Sequence, residues 1–209
     1  MHPGRSMALV IGAFVLASGC SLASVSSTPP SSSGSDLPAG RMGAADLQGR
    51  WWSWAASSTS DANPVSDPDG HLCAKGQKDG VWFLAGTFGG SARRSCTVPA
   101  GVPVAFPLVN SFGASADCAA FMASAQGSAT LDGRELEPER FEATPVQITA
   151  VEGNPVVQGG GRVRTKACGL WVQVEPLAAG SHTVGIRGSA GAGTFVVSVD
   201  YQLQVAAGG

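Results

Sequence analysis

The run from Phe195 to Val205 constrains the fold more than any other part of the sequence. Phe195, Val197, Val199, Tyr201, Leu203 and Val205 alternate with mostly polar residues over eleven positions. Period two over that length marks a strand with one face in a core and the other in solvent, as antiparallel sheets provide. A helix cannot gather those side chains on one stripe, because its period is 3.6. Shorter apolar stretches recur upstream, punctuated by turn residues, and the chain has 29 Gly and 13 Pro among its 209 residues. That pattern belongs to many short strands joined by tight turns.

The upstream segments read as follows. Asp46 to Ser57 is a short helix with Asp46 as N-cap, since Leu47, Trp51 and Trp54 fall at i, i+4 and i+7. Val81 to Phe88 is apolar without alternation, which predicts a central strand covered on both sides. Ser95 to Val98 is a short extended piece. Val102 to Val109 contains Pro103 and Pro107, which remove ladder donors, so an edge or bulged strand is expected. Asp117 to Gln126 is a second helix. Ala129 to Leu131 enters an Asp132-Gly133 turn, a hairpin signal. Val146 to Val151 alternates, and Arg162 to Lys166 reads as a polar edge. Leu170, Val172 and Val174 share one face of a strand, with Trp171, Gln173 and Glu175 on the other. The fold class is therefore mainly β: a single antiparallel β-sandwich, jelly-roll or immunoglobulin-like, with one or two short helices.

The ends of the chain carry a different signal. Residues 1–19 read as a lipoprotein leader: Arg5, then an apolar stretch from Met7 to Ala17, then small residues up to Cys20. That stretch is too short to span a membrane, which takes roughly 20 residues. Leu16-Ala17-Ser18-Gly19-Cys20 resembles the lipobox of bacterial lipoproteins, which implies cleavage before Cys20 and palmitate-type acylation of its sulfur. An ordinary signal peptide is the alternative. Residues 20–43 form a tether, with eight Ser and three Pro between Ser21 and Gly40. Such a stretch has too little apolar surface to offset its ordering entropy. The β-sandwich domain takes residues 44–209. The expected location is outside the cytoplasm, on the cell membrane or the outer-membrane surface, with the membrane as partner through Cys20.

With Cys20 assigned to lipid, Cys73, Cys96, Cys118 and Cys168 remain. An even count in an exported chain reads as two disulfides. Of three possible pairings, Cys73–Cys96 with Cys118–Cys168 is preferred, because the first two share one N-terminal block. A zinc site is not expected: no Cys-x-x-Cys occurs, and only His71 and His182 follow the leader.

A net charge of −2 with 13% charged residues excludes a nucleic-acid footprint. No Gly-x-Ser-x-Gly or His-Glu-x-x-His motif occurs, and no cofactor or metal is expected. The densest polar cluster is Asp67-Pro68-Asp69-Gly70-His71. Asp67 and Asp69 offer oxygens suited to calcium, yet the spacing of an EF-hand is missing, and a plain turn accounts for the same residues. His71 with Asp67 makes a base-and-orienter pair for an exported hydrolase. The tryptophans Trp51, Trp52, Trp54, Trp82 and Trp171 suit either core packing or stacking on a ligand. Trp171 lies on the polar face of its strand, exposed or covered by the first helix.

Trp51-Trp52-x-Trp54, Asn63-Pro64-x-x-Asp67, Val81-Trp82-Phe83-Leu84-Ala85-Gly86-Thr87 and Cys96-Thr97-Val98-Pro99-Ala100-Gly101 together resemble a family of exported bacterial proteins, lipoproteins among them, of unknown function. The resemblance implies export and a compact β-rich domain, and it implies no reaction. The expected role is a non-enzymatic module binding a ligand or protein at the envelope, with Trp52, Asn63, Asp67, His71 and Trp171 as its surface. The alternative is the hydrolase using His71 and Asp67.

Overall fold

The computed structural model describes residues 40–78 and 80–207. The leader, Cys20 and the tether up to residue 39 lie outside the described residues.

Nine strands form two sheets. They are β1 Trp82–Phe83, β2 Gly90–Val98, β3 Val104–Gly113, β4 Gln126–Leu131, β5 Arg134–Leu136, β6 Glu139–Ala150, β7 Gly161–Val174, β8 Gly180–Ala190 and β9 Phe195–Val205. A four-stranded sheet has the order β1-β3-β7-β6, and a five-stranded sheet the order β2-β9-β8-β4-β5. Their inner faces meet in one core, so the chain is a β-sandwich. Most pairings are antiparallel, but β1 runs parallel to β3 and β2 parallel to β9.

The period-two run is β9, second from one edge of its sheet and flanked by β2 and β8. Val197, Val199, Tyr201, Leu203 and Val205 are all buried in the shared core. β7 shows the same alternation, with Leu170 and Val172 facing the core between the sheets. Trp171 points the other way into a second core, which packs the helix α1 (Ala44–Ala55) on the outside of the four-stranded sheet.

Several local expectations are corrected. The N-cap of α1 is Gly43, not Asp46, which sits in the first turn and faces Arg50 one turn on, at 3.7 Å. A carboxylate there still complements the helix dipole. The apolar run from Val81 contributes only two ladder residues, at a sheet edge. Val81 to Ala85 are nonetheless buried, because side chains replace a neighbouring strand, whereas Phe88 at the end of the run is exposed. Gln77 pairs with the Phe83 backbone in both directions, its Oε1 accepting the Phe83 N–H at 2.9 Å and its Nε2 donating to the Phe83 carbonyl at 2.8 Å. β3 is an inner strand and not an edge, but the bulge that its prolines led one to expect is present, as a register break between Pro107 and Val109. The extended piece at Ser95 belongs to a nine-residue strand, β2. Arg162 to Thr165 pairs only with β6, whereas from Lys166 onward β7 lies between β3 and β6.

The Asp132-Gly133 turn joins β4 to β5 with positive φ at both positions (51° and 76°), the geometry a two-residue hairpin of right-handed twist demands. The disulfides are Cys73–Cys96 and Cys118–Cys168, with Cα separations of 6.1 and 5.8 Å. The first ties the 63–75 loop to β2. The second ties the helix α2 (Ser115–Met122) to β7. Two disulfides fit an oxidising, extracytoplasmic compartment. Among the described residues no helix is long and apolar enough to cross a membrane.

Candidate functional site

The residues singled out in the sequence divide into structural and exposed ones. Asn63 is fully buried and closes the loop after α1. Its amide donates to the Ala55 carbonyl at 2.7 Å, and its oxygen accepts the Val65 N–H at 2.9 Å. Asp67 is 2% exposed, and its carboxylate accepts the N–H groups of Asp69, Gly70 and Leu72 at 3.2, 3.0 and 2.8 Å. It is the keystone of a turn pressed against β2. Gly70 is required there (φ +101°), because a Cβ would lie 2.3 Å from the Ser95 carbonyl oxygen.

Beneath this loop lies Arg94, 2% exposed and paired with no carboxylate among the described residues. Its guanidinium donates to the carbonyls of Asp67 (2.7 Å), Ala85 (2.8 Å), Gly86 (2.9 Å) and Val65 (3.0 Å), and to the Tyr201 hydroxyl (2.9 Å). Burial raises the Tyr201 pKa, opposed by the neighbouring Arg94. Arg94 thus binds the loop, the segment after β1 and β9 into one unit. The Asn63-Pro64-x-x-Asp67 motif serves this junction and forms no ligand surface.

His71 is the exposed member of the cluster. Its Nδ1 lies 2.6 Å from Asp69 and 3.0 Å from Asp67. The hydrogen bond to Asp69 raises the His71 pKa, with the charges of Asp67 and Asp69 adding to it, and the same contact lowers that of Asp69. The three side chains have the donor types of a metal site. However, Asp67 already spends its oxygens on three backbone N–H groups, so the arrangement is that of one ring nitrogen held between two carboxylates. No hydroxyl or thiol hydrogen-bonds the ring among the described residues, so the pair is not part of a serine- or cysteine-type nucleophile relay.

All five tryptophans are buried, which corrects the reading of Trp52 and Trp171 as ligand-facing. Trp171 is completely buried because α1 covers its strand, and its ring meets Trp51 edge-to-face at 5.7 Å. Trp52 packs edge-on against Phe112 at 4.8 Å. Trp51 and Trp54 direct their indole N–H groups to the carbonyls of Leu84 and Lys75 at 3.0 and 2.8 Å. These rings fasten the helix to the sheet.

Two of the concavities among the described residues are large enough for a ligand of drug or sugar size. A groove of about 360 Å³ runs between α1, β6 and the 76–83 segment. Trp54, Phe83 and Ala150 form its apolar floor, while Arg50, Ser53, Lys78 and Thr149 supply a polar rim. The Arg50 guanidinium lies 6.0 Å above the Phe83 ring, a cation–π distance. The sequence does hold a signal for this groove. Asp46, Gly49, Arg50, Ser53 and Ser57 recur at helical spacing as a small and polar stripe beside the tryptophan face. The second concavity, about 660 Å³, is a polar trough on the outer face of the five-stranded sheet, reached by Arg93, Ser95, Thr130, Thr183, Arg187 and Gln202. Nothing in the sequence marks it, since its residues are dispersed over four strands.

Comparison with known proteins finds no matching family model and no matching curated protein. Among solved structures, a family 123 glycoside hydrolase from Clostridium perfringens, described for glycolipid glycan hydrolysis, aligns at 13% identity. The match covers 54% of this chain and 23% of that chain, with a TM-score of 0.23, too low to bear on fold or activity.

Proposed function

We propose that the chain is an exported lipoprotein, acylated at Cys20, whose sandwich domain is a non-enzymatic ligand-binding module at the cell envelope. The groove beside α1 is its ligand site. The observation that carries this reading is the groove's make-up: an apolar floor of Trp54 and Phe83 under a rim of hydroxyls and two cationic side chains. Its volume is that of a small-molecule site, and such sites combine apolar walls with a few polar groups that fix orientation. The motif resemblance to exported bacterial proteins of unknown function agrees with the export part of this reading. The hydrolase alternative has the contact between His71 and Asp67, and no observation beyond that contact favours it.

A bulky side chain at Thr149, an exposed residue of β6 on the groove wall, tests the site. Small molecules extracted from the purified chain and identified by mass spectrometry are expected with the native sequence and lost in Thr149→Trp, with the melting temperature of the unliganded protein unchanged. A native chain that carries no small molecule and is not stabilised by envelope extract counts against the groove.

A further inference from the structure

The two faces of the sandwich are finished differently. α1 and its tryptophans cover the outside of the four-stranded sheet. The outside of the five-stranded sheet forms the 660 Å³ trough. We propose that this trough is a second binding site, distinct from the groove beside α1, and that its ligand is an acidic saccharide.

The registers show how the trough is built. One row across the sheet reads Arg93, Asp200, Gly185, Thr130 and Glu135, from β2 to β5. The row beside it reads Ser95, Gln202 and Thr183. Side chains of one parity on neighbouring strands share a face, so these groups all point outward. The alternate residues, Arg94, Tyr201, Val184 and Ala129, are buried in the core and offer the trough only their backbone. The centre is kept low by Gly185, where a Cβ would lie 2.7 Å from the Thr130 hydroxyl oxygen.

Two properties select the ligand. First, the side chains that point into the trough carry hydroxyl, amide and guanidinium groups, with no aromatic ring or large aliphatic group. The hydroxyls of Ser95 and Thr130 and the amide of Gln202 make no side-chain hydrogen bond within the protein among the described residues, so their capacity is directed outward, whereas the Thr183 side chain is shared with Asp132. A partner recognised there carries many hydroxyls and little apolar surface. Second, the charges are uneven. Asp200 is already paired with Arg187 at 2.6 Å, and Arg187 also donates to the carbonyls of Ile186 and Val199. Arg93, beside Asp200 in the register, has no acidic partner among the described residues. Glu135 stands at the opposite end of the row. One guanidinium fork is left uncompensated at the β2 end, matched to a carboxylate by bidentate hydrogen bonding. Because the trough sits on paired strands and not on a loop, these groups are presented without a backbone ordering cost on binding.

Titration calorimetry of the full chain at low ionic strength compares trigalacturonate with maltotriose. The acidic trimer is expected to bind at least tenfold more tightly. Arg93→Ala should weaken it about tenfold, and Arg93→Lys, which keeps the charge but loses the fork, should fall between. Arg93 is exposed, so unchanged melting temperatures are expected in both variants. Ser128→Trp, which fills the trough, should abolish binding, while Thr149→Trp, which blocks the groove beside α1, should leave it intact. Equal affinity for the two trimers, no binding of trigalacturonate, or full affinity in Arg93→Ala overturns the proposal. Loss of binding in Thr149→Trp would place the saccharide in the other groove and overturn it equally.

Discussion

At the scale of single residues, the strongest constraint is Arg94. A buried guanidinium normally meets a carboxylate, yet here carbonyl oxygens and one phenol take its hydrogens. Removing it leaves the carbonyls of Val65, Asp67 and Gly86 buried without a donor, while that of Ala85 keeps the Tyr201 hydroxyl. Each unsatisfied group costs about 1–3 kcal/mol. Arg94→Ala is therefore expected to lose at least about 3 kcal/mol in urea unfolding, with Arg94→Lys little better, because an ammonium cannot reach four acceptors in a plane. A loss below about 1 kcal/mol would show that the junction does not depend on this side chain. Arg94 and its neighbour Arg93 illustrate how far sequence reasoning reaches. Adjacent in the chain, they face opposite sides of β2, one in the core and one in the trough, and nothing local distinguishes them.

At the scale of elements, the turn between β4 and β5 is latched to the start of β8. His182 places Nδ1 at 2.7 Å from Asp132 and Nε2 at 3.0 Å from the Ala178 carbonyl. Both partners accept, so the protonated ring, with a hydrogen on each nitrogen, satisfies both contacts at once. The Asp132 hydrogen bond raises the His182 pKa, with the Ala178 carbonyl adding to it, and the same contact lowers that of Asp132. Because folding raises the affinity of His182 for its proton, its contribution is complete below the unfolded pKa of about 6.5 and disappears as pH climbs through the raised value. Asp132 acts in the other direction, contributing above its unfolded value of about 3.9 and losing that contribution as pH falls through its lowered pKa. The latch is thus tightest between about pH 4 and 6.5. Melting temperatures across pH 5–9 should fall more steeply on the alkaline side for the native chain than for His182→Gln. Parallel profiles would exclude the latch. The sequence pattern places His182 on the inward side of β8, but its partners lie in a turn 50 residues earlier and in the preceding loop, so only the fold brings them together.

At the scale of the whole molecule, one sandwich presents two unlike outer faces, one sealed by a tryptophan-bearing helix and one left polar. This arrangement suits a module held at a surface by one end while its faces remain accessible. Anchoring through Cys20 is tested by fractionation: Cys20→Ala should move the chain from the membrane pellet to the soluble fraction. Retention in the pellet after an alkaline wash would count against acylation.

What the sequence determined by itself follows from periodicity and local chemistry. The strand character of β9, the inward and outward faces of β7, the tryptophan face of α1, the Asp132-Gly133 turn and the pairing of the four cysteines were all legible, because each depends on residues close in sequence or on a small number of combinations. Tertiary structure decided the rest. Trp171 is on the polar side of its strand by parity, and only the placement of α1 turns that side into a second core. Asn63 and Asp67 are polar residues in a loop, which sequence reasoning reads as surface. They are buried because Arg94, some 30 residues away, draws the loop inward. Both grooves consist of side chains from distant segments. Strand register sets which groups share a face, and register depends on the pairing of whole strands and on no short stretch of sequence.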